Sequence, residues 1–189
     1  MEWYKAAEKF NEALASSEPT PGGGAAAAMA AAMGCALAMM ALQTTCKRKN
    51  TPQETKDRLA PAIRKLGALK VQLNHYIQED GEAYSAYIVA KQLSKENPAR
   101  EKVMQEALIY AARVPTDTAT TAITCLHEIE QIEPDIAPII LSDIYCAQHL
   151  LKSAIHCCIE NIKANLKFIQ NEDWTQKLTH NMELFLKSC

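Results

Sequence analysis

From Pro19 to Cys46 the chain carries no charged residue. An apolar stretch of that length either crosses a bilayer or is buried inside a bundle. Two properties favour burial. The run is mainly Ala, Gly, Thr and Met, and alanine is only weakly lipophilic. It also opens on Pro19-Thr20-Pro21-Gly22-Gly23-Gly24, which is loop chemistry. A helix from about Ala25 to Thr45, covered on all sides, is therefore expected in place of a membrane span. Ala26, Ala30, Gly34 and Ala38 recur every four residues and leave a groove with almost no side chain. Met29, Met33, Leu37 and Met40 fill the neighbouring face. The groove is either ordinary core or half of a tight helix pair, for which a dimer axis is one setting.

The rest of the chain reads as helix too. Six glycines and eight prolines in 189 residues leave little room for the turns of an all-β fold. No period-2 strand appears, and Ile139-Ile140-Leu141 is too short to argue for one. Amphipathic segments are expected at about 3–16 and 173–187. Thr51-Pro52-Gln53-Glu54 reads as a capping box that starts a helix running to about Asp80, with a kink or restart at Pro61. Asp80-Gly81 either ends that helix or lies within a longer one reaching about Leu93. Asn97-Pro98 caps the next, to about Val114, and Pro115 opens another, to about Gln131. Residues 133–138 form a loop. A long helix follows, from about Ile139 to Ile169, with one apolar stripe of Ile144, Ala147, Leu151, Ile155, Cys158, Ile162, Leu166 and Ile169. The expected architecture is all-α: a multi-helix bundle with a long helix in the C-terminal half, no sheet, and residues 1–189 as a single domain.

Twenty basic against 22 acidic residues give a net charge of -2 and no general electrostatic pull towards nucleic acid. Seven cysteines, with no CxxC pair and no apolar signal core in MEWYKAAEKF, suit a reducing, cytoplasmic setting with mostly buried thiols. His149 and His156 share a helix face, but no third ligand is spaced for a metal, and none is expected. Common nucleotide, zinc-protease, hydrolase and calcium motifs are missing. Pro21-Gly22-Gly23-Gly24 is the most unusual local feature. Three glycines before a helix answer either a crowded entry turn or an anion held on free N–H groups. Asp143 sits where a helix dipole favours its charge, and Asp80 lies between Glu79 and Gly81. Asn161 shares a helix face with Asp143, about 27 Å away at the helical rise. One small site takes both only if two subunits lie side by side. Lys47-Arg48-Lys49 ends the Ala/Met helix, where cations suit the C-terminal dipole.

The stretch from Ser16 to Ala27 (Ser-Ser-Glu-Pro-Thr-Pro-Gly-Gly-Gly-Ala-Ala-Ala) resembles the opening signature of the cyclodeaminase/cyclohydrolase family. This comprises the cyclodeaminase domain of formiminotransferase-cyclodeaminase and free-standing bacterial relatives, including a methenyltetrahydrofolate cyclohydrolase. The resemblance continues in order through Lys47, Asp80-Gly81-Glu82-Ala83-Tyr84, Val114-Pro115, Ser142-Asp143 and Glu160-Asn161-Ile162-Lys163-Ala164-Asn165-Leu166. Ala25, Cys46, Asn50 and Ala137 depart from residues common in the family, respectively Ser, Gly, Tyr and Asn.

The resemblance implies an all-helical fold, a homodimer and a tetrahydrofolate derivative as substrate, with no metal or redox cofactor. Asp80, Asp143, Asn161 and Asn165 are the partners it suggests for a pterin ring. Lys47, Arg48 and the loop Pro21, Gly22, Gly23 and Gly24 are those for the anionic tail. Catalysis would fall to Asp80 and Asp143 with Lys47. The leading expectation is formimidoyltetrahydrofolate cyclodeaminase, releasing ammonia and leaving 5,10-methenyltetrahydrofolate, with a formimidoyltransferase as a candidate partner. The alternatives are 5,10-methenyltetrahydrofolate cyclohydrolase and a non-catalytic bundle that binds folate or a protein.

Overall fold

A helix of alanines and glycines has little side chain to bury, so it gains stability only if other helices come close to its backbone. The structure, a computed structural model that describes residues 2–189, packs other helices closely on such a helix. It leaves one face, with Met33 and Met40, exposed, so the expected cover on all sides is incomplete. Six helices follow in order: α1 (Trp3–Leu14), α2 (Gly23–Lys47), α3 (Gln53–Gln92), α4 (Arg100–Ile132), α5 (Leu141–Leu166) and α6 (Glu172–Lys187). Two single 3-10 turns, Glu133–Asp135 and Pro138–Ile140, lead from α4 into α5. No strand occurs among the described residues.

α2, α3, α4 and α5 form an antiparallel four-helix bundle, each packed on its neighbours in the chain, with α5 closing the ring against α2. The cross-links fix the direction. Ala25 of α2 meets Asp80 of α3, while Thr51, just before α3, bonds Thr45 at the other end of α2. Gly34 lies against Ala147 and Leu151 of α5. There a Cβ would stand 2.9 Å from the Ala147 carbonyl oxygen, so only glycine lets the two backbones approach. The small-residue groove is thus filled, at Gly34, by a helix of the same chain. α2 is long and apolar enough to cross a bilayer, but 56% of its apolar window is buried inside the bundle.

The stripe on α5 is core as expected, from Ile144 to Ile162, and each fully buried Leu or Ile contributes about 1.5–3 kcal/mol. Leu166 is half-buried, and Ile169 is buried but lies beyond the end of the helix. One helix takes the longer of its two expected forms, and another is longer than expected. α3 passes through Pro61 and Gly81 without restarting, and α4 passes through Pro115. A proline forfeits one helical hydrogen bond, and the apolar faces on both sides outweigh that loss. Thr51 does not cap α3. Its hydroxyl donates to the Thr45 carbonyl at 2.7 Å and finishes α2, while Pro52 occupies the N-cap position with no side-chain bond. The thiols are also less buried than expected: only Cys35, Cys125 and Cys158 belong to the core.

Candidate active site

The N-terminus of α2 has no side-chain cap, so its first N–H groups need acceptors from elsewhere. Asp80 supplies one. Its Oδ2 accepts the Ala25 N–H at 2.9 Å, from the middle of α3. Burial pushes the Asp80 carboxyl above the ordinary aspartate value, and the Ala25 N–H offsets part of that rise. The Gly23 and Gly24 N–H groups point from the same helix end, where the dipole favours negative charge.

Only one of the three glycines is forced by space. A Cβ on Gly24 would fall 2.0 Å from Asp80 Oδ1. One on Gly23 would touch the Asn161 amide at 3.3 Å, and one on Gly22 would meet only the Pro19 carbonyl at 3.4 Å. Gly22 has φ -119°, extended backbone that any residue adopts.

Asn161 and Asn165 approach from the last turns of α5, antiparallel to α2. Asn161 Nδ2 donates to the Cys157 carbonyl at 2.8 Å. Asn165 Nδ2 donates to the Asn161 carbonyl at 3.0 Å and to the Ala111 carbonyl of α4 at 3.3 Å. The Ala111 carbonyl is free because its helical partner would be the N–H of Pro115, which has none. The Asn165 NH2 is committed to two backbone carbonyls and the Asn161 NH2 to one, so both amides keep Oδ1 as an acceptor and Asn161 keeps one N–H.

Gly23, Gly24, Asp80, Asn161 and Asn165 line one cavity of about 310 Å³ at this end of the bundle. Asp80 and the asparagine Oδ1 atoms offer acceptors, the helix end offers donors, and the hydroxyls of Thr20, Tyr84 and Tyr87 can do either. Three aromatic residues that the sequence reading gave no role also line it: Tyr84, Tyr87 and Phe168. Asp80, Ala83, Tyr84 and Tyr87 stand at helical spacing, so the signal for two of them was one face of α3. Pro21 lies outside, on a shallower hollow of about 660 Å³ between α1 and α3 that it shares with Phe10 and Gly81. That hollow has neither Asp80 nor the asparagines.

The remaining candidates stand at the opposite end. Lys47 is the last residue of α2, and Arg48 follows it; both are exposed. Ala25 and Lys47 are about 33 Å apart at the helical rise. Asp143 is half-buried in the first turn of α5, about 27 Å from Asn161. The two ends of the bundle thus hold two different parts of the expected constellation. No cluster of three His, Cys, Asp or Glu side chains placed to hold a metal occurs among the described residues. His149 and His156 are exposed.

Fold and site together define an antiparallel helical bundle with an acceptor-lined, aromatic-rimmed ligand cavity at one end. Within that class the chain belongs to the formiminotransferase-cyclodeaminase family, whose model matches residues 6–184. A methenyltetrahydrofolate cyclohydrolase of Methylorubrum extorquens is 40% identical over 112 residues, covering 57% of this chain and 53% of that protein. The formimidoyltransferase-cyclodeaminase of Rattus norvegicus is 28% identical over 95% of this chain and 34% of its own length. The chain thus spans about half of the first relative and a third of the second. A crystal structure of formiminotetrahydrofolate cyclodeaminase from Thermotoga maritima superposes with a TM-score of 0.86 at 26% identity, over 96% of this chain and 88% of that one.

Proposed function

We propose that this chain is a folate one-carbon enzyme, a formimidoyltetrahydrofolate cyclodeaminase that works as a homodimer. The observation that carries the reading is the cavity itself. Asp80 and two asparagines present acceptors to a space with aromatic walls, which suits the donor-rich edge of a pterin ring. Its helix end suits a carboxylate or another electron-rich group. The similarity to folate enzymes names the substrate class.

In the reaction, N10 of the folate attacks the carbon of the protonated N5-formimidoyl group. The N10 proton must leave, and the departing nitrogen must gain one. Ammonia then departs, and the 5,10-methenyl bridge keeps the positive charge. One proton moves from N10 to the leaving nitrogen, so a single carboxylate can carry it. Asp80 is that carboxylate, and its negative charge also steadies the cationic carbon centre. As written, the step needs neither metal nor redox cofactor. Ala25, where a serine is common in the family, does not weaken the Asp80 contact, because that contact uses the backbone N–H.

A second copy supplies what this end lacks. The outer face of α2 leaves Met33 and Met40 exposed, 50% and 38%, on a helix without charge from its start to Thr45. A two-fold axis across that face sets α2 antiparallel on its copy. Lys47, Arg48 and Asp143 of one subunit then approach Gly24, Asp80 and Asn161 of the other. A separate formimidoyltransferase, in the same cytoplasmic compartment, would hand over the substrate.

The 40% identity to a methenyltetrahydrofolate cyclohydrolase favours a second reading, in which water attacks the same carbon. One absorbance assay of the methenyl chromophore separates the two. Rising absorbance with ammonia release from 5-formimidoyltetrahydrofolate is the expected result. Faster loss of 5,10-methenyltetrahydrofolate than in buffer establishes the cyclohydrolase. No change with either leaves the binding bundle. Mixing Asp80→Asn with Lys47→Ala protein, each inactive alone, tests the shared site. Random re-pairing restores one intact site in each mixed dimer, about a quarter of wild-type activity. No recovery on re-pairing rejects it.

A further inference from the structure

Phe168 is 64% exposed and lines the rim of the cavity, on the linker between α5 and α6. A phenyl ring left this exposed gains little from burial. Yet its linker is held firmly. The Phe168 N–H donates to the Asn165 carbonyl at 3.0 Å. Gln105 of α4 then grips the linker twice. Its Nε2 donates to the Phe168 carbonyl at 3.1 Å, and its Oε1 accepts the Gln170 N–H at 2.9 Å. Between these bonds Ile169 is buried in the core. Gln170 Nε2 donates in turn to Glu101 at 2.9 Å. Asn171 caps α6 directly afterwards, accepting the Trp174 N–H at 3.0 Å.

A ring carried on a fixed backbone at a cavity rim is a partly prepared surface for a flat ligand, because the ordering cost of the linker is met on folding and not on binding. We infer that Phe168 is a substrate-binding wall for the planar heteroaromatic part of the substrate, and that Gln105 is the positioning residue that holds it there. Tyr84 and Tyr87 of α3 supply the other aromatic surface of the cavity. The inference rests on the folate reading and adds to it a residue pair outside the quoted motifs.

The test uses steady-state kinetics of the full chain with whichever folate the wild type turns over. Phe168→Ala raises KM about tenfold and leaves kcat within about twofold, whereas Phe168→Tyr keeps both near wild type. Gln105→Leu raises KM about threefold, and the double variant is no worse than Phe168→Ala alone, because Gln105 acts only through Phe168. Should Gln105→Leu fail to fold, Gln105→Glu keeps the acceptor for Gln170 and removes the donor to Phe168, and it takes the same place in the cycle. An unchanged KM in Phe168→Ala overturns the inference. So does a double variant whose effects multiply, or a KM that returns to wild type at high protein concentration, which would make Phe168 a subunit contact. Wild-type protein that turns over neither folate removes the folate reading and this inference together. Turnover with an unmoved Phe168→Ala removes the inference alone.

Discussion

Gly24 and Asp80 occupy adjoining space with nothing between them: a Cβ on Gly24 would lie 2.0 Å from Asp80 Oδ1 and 2.6 Å from its Cγ. The carboxylate sits over the first turn of α2 because residue 24 has no side chain. Gly24→Ala must therefore swing Asp80 away or push α3 off α2. The expected outcome is at least a hundredfold loss of kcat/KM and a loss of about 1–3 kcal/mol in a urea melt. Gly22→Ala is the control. Its Cβ would meet only the Pro19 carbonyl, at an ordinary contact distance of 3.4 Å, and it fits the extended backbone, so it stabilises the fold by about 0.4–1 kcal/mol. If both variants behave alike, the crowding at Gly24 is not what sets the site.

Asp80 pits function against stability. Burial raises its folded pKa above the unfolded value, so the native state holds the proton more tightly over that interval. Stability attached to this group is full below the unfolded pKa and is lost as pH rises through the folded one. Above the folded pKa the charged carboxylate is a burden that the reaction requires. Asp80→Asn is expected to lose about 10²–10⁴-fold in kcat yet to resist urea better than wild type at pH 7. That advantage fades as pH falls towards about 4. A less stable Asp80→Asn protein at pH 7 would mean that the helix end favours the charge by more than burial costs it.

The sequence disclosed the bundle and half of the site, and the residues show why. Apolar spacing on α5 and the charge-free run of α2 mark helices that must be buried, so fold class followed directly. Pro115 misled, and Pro61 left a kink and a restart both open. Pro61 and Pro115 break local helix rules, but tertiary packing keeps α3 and α4 continuous. Gly22–Gly24, Asp80, Asn161 and Asn165 were legible through motif resemblance, and the structure gathers them in one cavity. The separation of Lys47 and Arg48 from Asp80 follows from helix length alone once α2 is known to be unbroken. Phe168 was invisible because its place depends on bonds from Gln105, more than sixty residues earlier in the chain.

Gly34 tests the close pairing of α2 with α5. Its missing Cβ is replaced by the Ala147 carbonyl oxygen at 2.9 Å and Leu151 Cγ at 3.0 Å. Gly34→Ala should cost about 1–3 kcal/mol by overpacking, without changing the oligomeric state seen by light scattering. A variant that dissociates while keeping its stability would place Gly34 at a subunit interface instead.

Pro115 and Asn165 are linked: a missing hydrogen bond in one helix fixes a side chain of another. Without an N–H at Pro115, the Ala111 carbonyl is open and accepts Asn165 Nδ2 at 3.3 Å. The Asn161 carbonyl takes the other amide hydrogen at 3.0 Å, so Asn165 has one orientation, with Oδ1 left for a ligand. Asn165→Asp sets a carboxylate against two carbonyl oxygens and should lose about 1–3 kcal/mol of stability along with most activity. Pro115→Ala is subtler. It returns an N–H that competes for the Ala111 carbonyl, freeing the asparagine to turn. KM should rise about threefold in Pro115→Ala alone and show no further change when Pro115→Ala is added to Asn165→Ala. An equal rise in both backgrounds would show that Pro115 acts through packing of α4, with the opened carbonyl incidental to the site.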